Sequence, residues 1–189
     1  MINFKYNLIL GSKSPRRREI LSMAGLNFET VDIDVQEDYP KTLLPHEIAE
    51  YLAVKKSNGF TLRNKNDLLI TSDTIVVKNN KVLEKPANAD KAFEMLKELN
   101  GAVHYVYTGV CLRSMDKQIQ FTDKTEVSFL EMKDEELRYY IQTCKPFDKA
   151  GAYGVQEWMG MVAVDNINGT FYNVMGLPIH KLYSELKEF

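Results

Sequence analysis

The sequence predicts an α/β fold: a mixed, twisted β-sheet flanked by helices, with a ligand cleft at strand ends. Three observations predict it. In the first half, strand-like and helix-like stretches alternate, as they do when helices cross over between parallel strands. In the second half, strands follow one another through short turns, the pattern of antiparallel hairpins. The chain has 189 residues, 44% hydrophobic and 26% charged, enough to fill one core, and is read as a single domain over 1–189.

Asn7 to Leu10 is a short apolar run and a buried strand, followed by the loop Gly11-Ser12-Lys13. A helix is expected from Pro15 to Ala24: Ser14 precedes a proline at the first helical position, Ile20, Leu21 and Ala24 share one face, and Gly25 stops it. "FETVDIDV", Phe28 to Val35, alternates apolar with polar residues as a half-buried strand, and the acidic loop "QEDYPKTLLP" follows. His46 to Asn58 reads as a helix with Ile48, Ala49 and Leu52 on its core side and Lys55 and Lys56 near its C-terminal end. "LLITSDTIVV" is a β-branched strand, and Asn79-Asn80 suits a tight hairpin after it.

A helix from Asn88 to Leu99 turns Phe93, Leu96 and Leu99 inward and ends at Asn100-Gly101. Strands over Val103 to Arg113 and Gln118 to Leu130 pair through "SMDK". A charged helix from Lys133 to Cys144, the loop "KPFDKAGAYGVQ", a hairpin around Asn168-Gly169 and a last helix after Pro178 complete the chain. Ligands of such sheets sit in a crevice at strand ends, and the chemistry-bearing residues lie in loops after strands or beside helix starts.

The net charge of -2 and the pI near 6.0 argue against a surface built to coat nucleic acid or an anionic membrane, so any basic site is local. No stretch approaches the ~20 apolar residues of a membrane span, and "MINFKYNLIL" is too short an apolar run for a signal peptide. A soluble cytoplasmic protein is expected. Cys111 and Cys144 lack zinc or redox spacing and read as buried thiols, and His46, His104 and His180 are scattered.

"GSKSPRRREIL" puts Arg16, Arg17 and Arg18 at a helix N-terminus, where each cation costs about 0.3 to 1 kcal/mol against the dipole. A bound phosphate would offset that cost, with Ser12 and Ser14 as hydroxyl donors; solvent or distant carboxylates are the other outlets for the arginines. The segment lacks the glycine spacing of a Walker A loop. Asp73 lies inside an apolar strand, where an unpaired carboxylate loses hydration at a cost of several kcal/mol. It is a general base, a metal ligand, or a carboxylate at an edge or turn. Glu37 and Asp38 could share a hard cation with it. Lys55, Lys85 and Lys149 could together neutralise a triphosphate, although each alone reads as a solvated charge. Ala150, Gly151, Ala152 and Gly154 allow close backbone approach, and Gln156 offers a donor and an acceptor for a base edge.

"GSKSPRRREIL", "SDTIVV" with "LEKP", "AFEMLKELNGAVHYVYTGV", "DKAGAYGVQ" and "INGTFYNVMGLP" occur in this order, and together they resemble the Maf family of nucleoside triphosphate pyrophosphatases over nearly the whole chain. The resemblance implies a Maf/ITPase-like fold and hydrolysis between the α and β phosphates, giving monophosphate and pyrophosphate with a divalent metal, Mg²⁺ or Mn²⁺. It makes Asp73 the catalytic base and Arg16, Thr74 and Gln156 the substrate-selecting set. Ser12, Glu37, Lys55 and Lys85 match positions placed around the phosphates and metal; on the local reading above, Ser14 joins the phosphate donors and Asp73 joins Glu37 on the metal. "DKAGAYGVQ" resembles the branch acting on dTTP and UTP rather than 7-methyl-GTP. A homodimer is also implied. The other reading attached to this family is a regulatory nucleotide- or nucleic-acid-binding protein acting in cell division. Gly11 and Ser72 stand where the family pattern usually has Ala.

Overall fold

The computed structural model describes residues 5–189, and the first four residues of "MINFKYNLIL" lie outside that range. The elements in order are β1 (Asn7–Gly11), α1 (Pro15–Met23), β2 (Phe28–Val31), α2 (Pro45–Asn58), β3 (Asp67–Lys78) and β4 (Lys81–Leu83). Then come α3 (Ala89–Leu99), β5 (Val103–Arg113), β6 (Gln118–Phe129), α4 (Asp134–Cys144), a 3-10 turn (Ala150–Ala152), α5 (Trp158–Val162), β7 (Val164–Asn168), α6 (Phe171–Met175) and α7 (Ile179–Glu188). The strand order is β2-β1-β3-β5-β6-β7, with β4 paired to β3. β1 runs parallel to β2 and β3, whereas β3–β4 and β6–β7 are antiparallel, so the sheet is mixed as expected. Among the described residues no helix is long and apolar enough to cross a membrane.

The chain divides into two compact units, and the division falls within β3, β5 and β6. Among the described residues, the first comprises 5–73, Thr108–Asp123 and Gly176–Phe189. Its buried side chains include Ile9 and Leu10 of β1, Ile20 and Leu21 of α1, Ile48 and Leu52 of α2 and Leu69 and Ile70 of β3. Gly109 of β5 runs so close to α2 that a Cβ there would lie 2.3 Å from the Ala49 carbonyl, which is why the strand carries glycine at that point.

The second unit comprises Thr74–Tyr107 and Lys124–Met175. Asn88 caps α3 by accepting the Lys91 N–H at 2.9 Å, and α3 packs on α4 and the 3-10 turn. Asn173 of α6 is fully buried and donates to the Val106 carbonyl and to Thr125 Oγ1 at 3.2 and 2.9 Å, locking α6 to two strands. Asn79 and Asn80 take the positive φ of the expected hairpin, at 50° and 61°.

Three local expectations are corrected. β2 ends at Val31 rather than Val35 because Val31 pairs with Gly11, the last residue of β1, leaving no partner strand beyond it; Ile33 still packs on the Ile9 and Leu69 cluster. Asn168-Gly169 does not turn back into a strand: Gly169 has φ 137° and leads into α6, while β7 pairs with β6. Phe93 is only half-buried, with the Arg138 guanidinium 4.0 Å from its ring centroid, and Ala92 takes the inward place beside Leu96 and Leu99. Of the two thiols, Cys111 is buried and Cys144 half-buried.

His104 is enclosed in the second unit, with the rings of Phe129 and Tyr153 centred 4.9 and 5.4 Å away. Its Nε2 shares a 2.7 Å hydrogen bond with the Tyr153 hydroxyl. Burial, and secondarily the charge of Lys78, pulls its pKa down from 6.5 to about 3. The folded chain therefore resists a proton that the unfolded chain accepts. The stability this His contributes is intact above pH 6.5 and lost by about 1.4 kcal/mol per pH unit as the pH falls toward 3. In His104→Gln that slope is absent, so the melting-temperature advantage of the native chain over the variant should shrink from pH 7 to pH 4. An advantage constant across that range would contradict the assignment.

Candidate active site

In the first unit, β1 delivers the chain into the loop 12–14 and α1 begins at Pro15 with no capping bond from the Ser14 hydroxyl. Ser12 Oγ instead accepts the Ser14 N–H and Arg17 Nη1, each at 3.2 Å. Arg17 also donates through Nε to the Gly176 carbonyl at 2.8 Å, and Ser72 Oγ reaches the same oxygen at 3.3 Å. The loop, α1 and β3 are thus tied to one backbone carbonyl ahead of α7. Burial lowers the Arg17 pKa, Asp73 and Glu37 act to raise it, and Arg16 beside it acts to lower it. Arg17 remains a cation, since a guanidinium does not lose its proton in a protein.

The helical phase explains why Arg17 is the inward arginine. Positions 17, 20, 21 and 24 share a face of α1, and Ile20 and Leu21 are core residues. Arg16 and Arg17 are both half-buried and Arg18 is exposed; it is Arg17 whose guanidinium reaches Ser12 Oγ and the Gly176 carbonyl. The same logic selects a lysine on α2, where Lys56 follows the buried Ile48 and Leu52 at intervals of four and its side chain is 13% exposed against 28% for Lys55. Lys56 Nζ lies 2.5 Å from Asp73 Oδ1 and 2.8 Å from Glu37 Oε1. Lys55 turns to the surface and donates to Asp38 Oδ1 and the Asp38 carbonyl at 2.6 and 2.9 Å, which lowers the Asp38 pKa.

Asp73 is 7% exposed, at the end of the run Leu68 to Ser72 in which every residue is buried. The compensation its burial demands is therefore the Lys56 ammonium, with the field of Arg17 added. Ser12, Glu37 and Asp73 come together in this unit with Lys56 and Arg17. Among the described residues no group of three or more His, Cys, Asp and Glu is gathered for a metal. Glu37 and Asp73 nonetheless converge on one positive centre, the Lys56 ammonium. Two carboxylates aimed at one cation fit a Mg²⁺-type ion, which takes one or two carboxylates and fills its shell with water and phosphate oxygens.

In the second unit, Thr74 is half-buried at the start of that unit's part of β3, and Lys85 is exposed between β4 and α3. The Glu84 carbonyl accepts the Gly151 N–H at 3.2 Å, which ties the Lys85 loop to the 3-10 turn. Gly151 and Ala152 both take left-handed φ, 69° and 60°, and a Cβ on Gly151 would meet Val76 at 2.9 Å. Lys149 is 8% exposed, with its ammonium 2.8 Å from Asp148 Oδ1 and 2.9 Å from Glu157 Oε1. The Oε1 of Gln156 is buried without a hydrogen-bond partner. An orphaned acceptor of that kind costs free energy unless something else satisfies it.

A family model described as Maf-like protein matches residues 7–189. The chain is 48% identical to a Bacteroides thetaiotaomicron protein, over 97% of this chain and 96% of that one. It is 46% identical to one from Flavobacterium johnsoniae over 96% and 94%, and 43% identical to one from Porphyromonas gingivalis over 98% and 95%. All three relatives carry the name dTTP/UTP pyrophosphatase. With the family model matched from β1 to the last residue and relatives covered almost end to end, the chain belongs to the Maf-like family.

Proposed function

We propose that this protein hydrolyses dTTP and UTP to the monophosphate and pyrophosphate, with Asp73 as the general base. The observation that carries the reading is the buried carboxylate of Asp73 held by Lys56 in the field of Arg17. A carboxylate among cations is arranged for a polyanion whose attack by water must be both charge-neutralised and base-assisted. Lys56 engages Oδ1, and we assign Oδ2 to the attacking water. Lys56 and Arg17, with Arg16, Lys55 and Lys85, spread the roughly four negative charges of the triphosphate. Ser12 and Ser14 add hydroxyl donors to the phosphate oxygens. Glu37 and Asp73 would hold a divalent ion, Mg²⁺ or Mn²⁺, which would supply charge neutralisation at the phosphate oxygens. Most of the acceleration is positioning and electrostatics.

Gln156 and Thr74 are the residues to which we assign base choice. Thymine and uracil present an N3–H donor on their pairing edge, and cytosine presents a lone pair at the same position. The partnerless Oε1 of Gln156 suits the first and repels the second. Steady-state pyrophosphate release with Mg²⁺ from dTTP, UTP, CTP and 7-methyl-GTP tests the assignment. The expected result is a kcat/KM for dTTP and UTP at least about tenfold above the other two. A preference for 7-methyl-GTP would overturn it.

A further inference from the structure

We propose that Tyr140 and Glu157 are positioning residues for base selection: a hydrogen-bonded clamp that fixes the 149–157 loop and so aims Gln156. The inference rests on the dTTP/UTP reading above and names two residues outside it. Tyr140 lies on α4, is fully buried, and stands in none of the segments that carry the family resemblance. Its hydroxyl donates to Glu157 Oε2 at 2.5 Å and accepts the Gly154 N–H at 3.0 Å. Glu157 Oε1 in turn receives the Lys149 ammonium at 2.9 Å, and Lys149 holds Asp148 on its other side. One phenol thus binds the loop at residue 154 and, through one carboxylate, at residues 149 and 157. Burial, then Glu157, pushes the Tyr140 pKa up, so the hydroxyl keeps its proton and remains a donor.

Two further observations make this network a device for positioning. The loop contains consecutive left-handed residues, Gly151 and Ala152, and a non-glycine residue in that conformation persists where its surroundings over-determine it. Gln156 lies between Gly154 and Glu157, the two residues fastened to the Tyr140 hydroxyl, and its buried Oε1 has no partner of its own. An amide presents an acceptor on one side and a donor on the other, so it tells N3–H from a lone pair only while its plane is held. The clamp supplies that constraint from outside the amide. Tyr140 and Glu157 need not touch the nucleotide.

The test compares dTTP with CTP in the full-length protein, its Tyr140→Phe and Glu157→Gln variants, and Gln156→Ala as reference. Tyr140→Phe keeps the ring and removes only the hydroxyl. Glu157→Gln keeps an acceptor for Tyr140 and removes the charge that holds Lys149. Both clamp variants are expected to lose about tenfold in the dTTP-to-CTP ratio of kcat/KM, moving toward Gln156→Ala, with the loss falling on KM for dTTP. A merely structural role would lower melting temperature or scale both substrates equally while leaving the ratio intact, and that result in both variants would overturn the inference. Native protein without a dTTP preference would defeat the underlying functional reading. A preference lost in Gln156→Ala but kept in both clamp variants would defeat the clamp alone.

Discussion

Asp73→Asn is expected to lower kcat for dTTP by roughly 10²- to 10⁴-fold, the range supplied by a positioned general base, with a far smaller change in KM. The amide has the shape of the carboxylate and can still accept from Lys56, but it cannot take a proton from water. Lys56 keeps Glu37 as its second partner at 2.8 Å, so no uncompensated ammonium is left and the fold should persist. Circular dichroism and melting temperature measured with the turnover assay separate loss of chemistry from loss of structure. A folded variant retaining more than about a tenth of native kcat would remove Asp73 from the base role.

Lys56→Gln carries the next largest effect. Its side chain is 13% exposed and its ammonium bonds both Asp73 and Glu37, so its removal leaves two carboxylates facing the same space with no cation from α2 between them. Loss of one preorganised electrostatic group of this kind costs about 10²- to 10³-fold in turnover. Breaking the pair should also lower stability, by up to about 3 kcal/mol, the exposed Glu37 being partly rescued by water. The same substitution at Lys55 should cost about fivefold at most, because that ammonium is engaged by the exposed Asp38. Kinetics of the two single variants side by side check the ordering, and equal losses at both lysines would contradict it.

That contrast marks where the sequence is legible and where it is not. Asp73 stands out in the linear sequence, since a carboxylate in a β-branched run must be compensated; the compensating group lies 17 residues earlier on another element. Of two adjacent lysines, composition gives no preference, but the spacing of four from Ile48 through Leu52 to Lys56 carries the information that residue type alone lacks. Arg16 and Arg17 differ in the same way, by the ~100° that separates successive positions on a helix. The Asn79-Asn80 hairpin is legible because it is local, whereas Asn168-Gly169 misleads because the same turn chemistry also precedes a helix. The Tyr140–Glu157–Lys149 network is the least legible part. It joins α4 to a loop through contacts that no periodicity announces, and only the folded chain brings a phenol against a carboxylate 17 residues away.

On the reading proposed above, the protein cleaves a pyrimidine triphosphate between its first and second phosphates. Phosphorus NMR of the products formed from dTTP by the native protein with Mg²⁺ tests it most directly. Pyrophosphate and dTMP are expected in equal amounts from the earliest time point; dTDP with orthophosphate would contradict that cleavage.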